Sequence, residues 1–435
     1  MLFDTFTVSA FTTLAKVFGA AKALVLARFF GSGAVLDAYL LAFLAPSFLA
    51  DVFCGSLVPV LVPKLIEFEY RDGRTGAIDL YGHVLRRTFL LSCSAAAVLA
   101  CGAAIMAALG SGSARLNLHL IGILTILMTP ILPLAAVTNV WRAVLNAQGR
   151  FTIPALTLTL TPSIIILGIL LAGRSHGIWI LAAGTSLASL AEVLVLGLGL
   201  RSVGFPILPP RRERSFSLVE IKKEYVYLSA ATAMSAGTAF IGQSMAAGLG
   251  AGSVSILNYG TRLVGVLMAI GPAALSVTIL PRFSHLAAAR DGERLKQMLW
   301  RILSGSLIVA GAAAALLIVF SVPIVRLSLQ RGAFTATDTR IVASVQGFSL
   351  LQLPFILGTT ILMRILSALN ANRVLLPISG AALVINTGLN YGLMTRHGVA
   401  GIALATSLAQ AIVFMALAIL VFRRGLGGFL RDCDA

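Results

Sequence analysis

Apolar runs of about twenty residues, each long enough to cross a bilayer as a helix, follow one another along the whole chain with short polar breaks. Twelve are predicted, at about 6–28, 34–58, 85–109, 118–145, 152–173, 177–200, 224–249, 254–279, 299–325, 341–369, 374–394 and 398–422. The expected fold is therefore an all-α polytopic membrane protein of about twelve transmembrane helices. One break is longer than the rest. It covers 201–223 and holds Pro206, Pro209-Pro210 and Arg211-Arg212-Glu213-Arg214. The first run carries Lys16, Lys22 and Arg28, and no basic stretch precedes it. It is expected to stay as the first helix rather than to be cleaved as a signal peptide.

The second half repeats the first. His176-Gly177 followed by Thr185-Ser186-Leu187-Ala188 recurs as His397-Gly398 and Thr406-Ser407-Leu408-Ala409. Pro133 is matched by Pro354, Pro63-Lys64 by Pro281-Arg282, Asp72-Gly73 by Asp291-Gly292, and Leu145-Asn146-Ala147 by Leu369-Asn370-Ala371. Six runs fall in each repeat. An even number leaves both copies facing the same way, so the two six-helix lobes should be related by a pseudo-twofold axis along the membrane normal. The expected domains are an N-terminal lobe at 1–205, a cytoplasmic linker at 206–223, and a C-terminal lobe at 224–435 with a short cytoplasmic tail.

Composition agrees: 58% of residues are hydrophobic and 11% charged, against about 25% charged in soluble domains. The net charge of +17 could suggest nucleic acid, but its distribution argues otherwise. About 20 of the 33 Lys and Arg lie in the breaks after the even-numbered spans and in the tail, and about six on the opposite side. That bias predicts cytoplasmic termini, with no nucleic-acid partner. No Gly-Lys dipeptide occurs, so the chain has no phosphate-binding loop for ATP. The drive should be electrochemical, from H⁺, Na⁺ or the membrane potential, or should come from substrate turnover, with no cofactor. The five histidines are scattered and the four cysteines include no C-x-x-C, so no metal site is expected. Asp338 is the one acid in the predicted outer loops, which weakens any enzymatic reading.

Charges inside the spans need a partner, water or an escape to the interface. Lys16 and Lys22 in the first span, with Arg262 in the eighth, form a cationic set suited to an anionic head group such as a diphosphate. Lys16 and Asp51 lie at depths about 7 Å apart, so they could pair, or each could meet water in a cavity. Glu192 could bind a proton or Na⁺, or could sit in an ion pair within the bundle. Arg142 and Arg364, near the ends of spans four and ten, read as interfacial anchors or, in the alternative, as cavity residues. Pro133 and Pro354 occupy matching positions within spans and are hinge candidates.

Several segments together resemble the MurJ (MviN) family of lipid II flippases, within the multidrug/oligosaccharidyl-lipid/polysaccharide exporter superfamily. They are Lys16-Val-Phe-Gly19-Ala-Ala-Lys22 running to Ala27-Arg28-Phe29-Phe30-Gly31, Asp37-Ala38-Tyr39 with Pro46, Leu145 to Phe151, Tyr259 to Arg262, and Gln330-Arg331-Gly332-Ala333-Phe334. The resemblance implies a non-enzymatic flippase whose two lobes form a V-shaped cavity with alternating access. It implies lipid II, an undecaprenyl-diphosphate-linked saccharide, as substrate, membrane lipid around it, and the cell-wall synthesis machinery as protein partner. Such a substrate would meet Lys16, Lys22 and Arg262, with Asp37 and Asp51 shaping the cavity. The family carries up to fourteen helices and arginines where Lys16 and Lys22 stand. Ala50-Asp51 replaces a double arginine, and Thr261 replaces an acid. Other cargoes compatible with the superfamily are an exopolysaccharide or O-antigen precursor, or a drug exported by cation coupling.

Overall fold

The structure is a computed structural model that describes residues 2–110, 117–172, 177–208, 219–268, 283, 292–368 and 375–432. Among them there are only helices, turns and bends. In chain order the helices are α1 (Leu2–Phe30), α2 (Ala34–Cys54), α3 (Leu57–Leu109), α4 (Leu118–Met128), α5 (Ile131–Ala147), α6 (Thr152–Thr157), α7 (Leu160–Ala172), α8 (Gly177–Ser202), α9 (Val219–Ala247), α10 (253–268), α11 (Gly292–Val319), α12 (Ser321–Leu329), α13 (Ala336–Leu350), α14 (Leu353–Ala368) and α15 (Leu375–Asp432).

Among the described residues, eight helical stretches are long and apolar enough to cross a membrane, and two of them, 76 and 48 residues long, exceed a single crossing. Each of the twelve predicted spans coincides with helix over most of its described residues, so the protein is a polytopic all-α chain of about twelve crossings. The two very long helices are bent. Gly73 within α3 (φ 70°) and Gly398 within α15 (φ 57°) take the left-handed conformation, which side chains oppose and glycine allows. Gly398 is the first residue of the twelfth predicted span.

The chain divides into two compact units, Met1–Phe240 with Gly250–Gly252, and Ile241–Leu249 with Ser253–Ala435. In the first, α3 packs on α4 and α5, α2 on α4 and α5, α8 on α5 and α7, and α1 on α6 and α7. Its core is centred on Tyr81, Trp141 and Leu145. The fully buried Tyr81 must satisfy its hydroxyl. It accepts from Trp141 Nε1 at 3.0 Å and donates to the Pro206 carbonyl at 3.1 Å, tying the chain beyond α8 back onto α3. Phe205 meets the Tyr81 ring edge-on, and Arg74 stacks over Phe205 while donating to the Val203 carbonyl. The first residues of the predicted linker are thus fastened to the first unit.

In the second unit, α11 packs on α14, and α13 and α14 pack on α15. Its core gathers Leu299, Leu362, Phe414 and Leu417. The internal repeat reappears as matched hydrogen bonds. Ser186 Oγ donates to the Leu127 carbonyl at 2.7 Å, and Ser407 Oγ to the Phe348 carbonyl at 2.6 Å. Both bonds span 59 residues, and both donor and acceptor are shifted by 221. A side-chain hydroxyl that bonds a carbonyl on a neighbouring helix is a favourable cross-link where no water competes.

Asp338, the acid of the predicted outer loops, serves a helix end. Thr335 Oγ1 accepts from the Asp338 N–H at 3.2 Å while the Asp338 carboxylate accepts from the Thr335 N–H at 2.7 Å, a reciprocal cap on α13. Thr335→Ala is expected to cost about 1 kcal/mol, visible as a lower melting temperature of purified protein in detergent.

Candidate functional site

Each unit contributes its own charged and polar groups. In α1, Lys16 is exposed and Lys22 half-buried; in α10, Arg262 is exposed. Lys16 and Asp51 form no ion pair, and both are exposed, which corrects the pairing their depths allowed. The reason is lateral: α1 packs chiefly on α6 and α7, whereas α2 packs on α3, α4 and α5, so equal depth does not bring the two side chains together.

Asp37, in the first turn of α2, is buried. Its Oδ2 accepts from the Gly252 N–H at 2.7 Å, a charge-assisted bond to the turn ahead of α10. A Cβ at position 252 would come within 2.8 Å of the Ser32 carbonyl oxygen, and φ there is +89°, so the turn approaches the α1–α2 connection only with glycine. Tyr39, one turn along α2, is hydrogen-bonded at 3.1 Å to Thr185 of α8.

Glu192 lies on α8 in an ion pair with Arg142 of α5, with side chains 15% and 20% exposed, and Thr157 Oγ1 of α6 lies 3.2 Å from it, its one hydroxyl hydrogen shared between Glu192 and the Pro154 carbonyl at 2.9 Å. Arg142 Nε is buried without a partner. Arg142 is thus held in the bundle by a carboxylate fifty residues on rather than anchored at an interface. Arg364 is exposed.

Pro133 and Pro354 each stand in the first turn of a helix that resumes after a break, α5 after α4 and α14 after α13. Spans four and ten are therefore both interrupted, at matching places in the two repeats. Proline tolerates this position because its missing N–H would have no helical partner there.

A polar ladder in the second unit was not singled out by charge or motif. Asn390 Nδ2 donates to Asn386 Oδ1 at 2.9 Å, Asn386 Nδ2 lies 3.4 Å from Thr406 Oγ1, and both asparagines are buried. The signal that would have found it is two asparagines four apart, on one helical face of an otherwise apolar run.

The family model described as lipid II flippase MurJ matches residues 26–432. A probable lipid II flippase MurJ of Synechocystis is 25% identical over 411 residues, covering 91% of this chain and 76% of that protein. The lipid II flippase MurJ of Burkholderia cenocepacia is 25% identical over 349 residues, covering 78% and 67%. Among solved structures, a lipid II flippase MurJ in an inward closed conformation superposes with a TM-score of 0.80 at 22% identity, covering 97% of this chain and 89% of that one. A multidrug resistance MATE family transporter in its inward-facing conformation superposes with a TM-score of 0.78 at 14% identity over 99% of this chain and 100% of that one, a likeness of fold alone. With the family match covering nearly the whole chain, this protein belongs to the MurJ family of lipid II flippases.

Proposed function

We propose that this chain moves lipid II from the cytoplasmic to the outer leaflet of the bacterial inner membrane by alternating access, with both termini cytoplasmic. The observation that carries this reading is the family match across 26–432, joined to relatives named as lipid II flippases. The polar end of such a substrate is a diphosphate. Lys16, Lys22 and Arg262 are the cationic donors we assign to it. Each is exposed or half-buried rather than sealed in a core. Lysine is a point charge without the planar fork of arginine, so this set relies more on field than on bidentate geometry. Asp37, through its bond to Gly252, fixes the turn before α10, and the exposed Asp51 contributes to the local field. Pro133 and Pro354, at matched helix breaks, are the hinge candidates. Transport is driven by an ion gradient or the membrane potential rather than by a cofactor.

The direct test is a leaflet-accessibility assay for lipid II in cells depleted of this protein. Outward flux should fall on depletion and return when the chain is restored; unchanged flux would overturn the reading. Lys16→Gln, Lys22→Gln and Arg262→Gln should each slow transport roughly ten- to hundredfold, the scale of a lost hydrogen bond to a charged group. Purified yield and monodispersity should stay unchanged, since none of the three side chains lies in a buried core.

A further inference from the structure

The two repeats supply an internal comparison for Arg142 and Glu192. At the offset of 221 that relates the Ser186 and Ser407 cross-links, and Pro133 and Pro354, Arg142 falls on Met363 and Glu192 on Val413; the Leu-Asn-Ala match at the end of α5 runs instead at 224. Burial follows the same register at five of six places: residues 140, 141, 142, 144 and 145 share the burial classes of 361, 362, 363, 365 and 366, whereas buried Ala143 falls on exposed Arg364. In the second unit Val413 belongs to the buried core, and Met363 packs against that core. At this one place the same helix pair, α5 with α8 in one unit and α14 with α15 in the other, carries charge in one copy and hydrocarbon in the other, although Gln410 Nε2 of α15 still donates to Thr359 Oγ1 of α14 nearby.

The second copy shows a helix pair of this kind packed without an ion pair at this place. Taking two charges out of water is costly, and a well-packed apolar pair of similar volume is commonly as stable or more so. The pair also costs an unpartnered Arg142 Nε. Its presence in the first unit calls for a function.

We infer that Glu192 is the proton-binding group of the transport cycle, ionised while Arg142 and Thr157 donate to it and protonated when these donors withdraw. The inference rests on the flippase reading above and names the coupling ion and its site. Both donors sit on elements separate from α8. Thr157 ends α6, a helix of six residues between the 148–151 connection and the break at Leu158–Thr159. Arg142 is on α5, which begins at the interrupted span carrying Pro133. A shift of α5 and α6 against α8 would strip the carboxylate of both donors inside an apolar span, where a lone charge is neutralised by taking up a proton. The return movement restores the guanidinium and expels the proton to water.

A sodium ion fits the site poorly. The site offers it one carboxylate and one hydroxyl, with a guanidinium alongside to repel it. The other elements packed on α8 bring their ionisable groups to different partners or to the surface. Asp37 of α2 is on the Gly252 N–H, Tyr39 on Thr185, Cys54 beside Ser92, and Asp51 is exposed. His119 of α4 is on the Ala107 carbonyl, and α7 has no ionisable side chain.

The test uses the full chain in proteoliposomes carrying labelled lipid II, with and without an imposed pH gradient. Wild-type flux should be stimulated by the gradient. R142M/E192V, which installs the second repeat's residues, should fold with wild-type yield yet lose the stimulation, as should E192Q. Stimulation in R142M/E192V equal to wild type would overturn the inference and leave the flippase reading standing. Wild-type protein that moves no lipid II at all would overturn both. Should the double variant fold poorly, infrared difference spectra of wild type on acidification decide: a protonated-carboxyl band absent from E192Q supports the assignment, and an identical band in E192Q removes it.

Discussion

Trp141→Ala is expected to lower the stability of the first unit by about 3 to 5 kcal/mol, the usual range for truncating a buried aromatic side chain. Trp141 is 5% exposed and belongs to the core shared by α3, α5 and α8. Its ring lies so close to Gly197 of α8 that a Cβ there would stand 3.1 Å from Cζ3. Truncation removes that packing and leaves Tyr81 without its donor. The loss is one of contacts and a hydrogen bond more than of water transfer, because helices in a membrane associate largely by packing. Tyr81→Phe, which keeps the ring, should cost about 1 to 3 kcal/mol by orphaning the Trp141 N–H. The two effects should be less than additive because they share one bond. Thermal unfolding of detergent-purified variants, followed by size-exclusion chromatography, reads both numbers. A Trp141→Ala variant within 1 kcal/mol of wild type would remove this core from its assigned role.

Gly122→Leu should be comparably damaging, at about 3 kcal/mol or more, the upper range for overpacking. Here α4 presses directly on the backbone of α3. A Cβ at 122 would come within 2.5 Å of the Ala103 carbonyl oxygen and 2.9 Å of the Ala107 nitrogen. Backbone cannot rotate aside as a side-chain tip can, so the helices must part. Gly102 on α3 is the matched control, since its Cβ would meet nothing within 4 Å. Gly102→Leu should be neutral or mildly stabilising, by up to about 1 kcal/mol, because glycine is a poor helix former. Equal losses at 102 and 122 would show that glycine content, not the α3–α4 approach, sets the stability. Chemical unfolding of the two variants side by side makes the comparison.

The contrast between 102 and 122 shows where reading along the chain stops. Both glycines lie in apolar runs, and no local feature distinguishes them. Only the neighbour across the interface does. The same holds for Glu192. Its partners, Arg142 and Thr157, are 50 and 35 residues away on two other helices. An acid in an apolar run announces that it needs a partner, and the need is legible because an uncompensated charge in hydrocarbon is costly. The partner's name is not. Lys16 and Asp51 illustrate the converse error, since the 1.5 Å rise per residue made their depths comparable while α1 and α2 turned to different neighbours.

By itself the sequence determined the all-helical class, the positions of the twelve crossings, the two-copy architecture and the resemblance to the lipid II flippases. These follow from local quantities: the length of an apolar run is matched to bilayer thickness, and a repeat is a comparison of the chain with itself. The prolines at the interrupted spans were visible for the same reason, because each acts on its own backbone. Tertiary structure alone decided which charges meet. It put the Asp37 carboxylate on a backbone N–H 215 residues later, placed the Arg142 guanidinium on Glu192, and filled the equivalent place in the second repeat with Met363 and Val413. Depth along a helix is written in the spacing of residues, but azimuth and neighbour are set by how ridges of one helix settle into grooves of another, which no single run encodes.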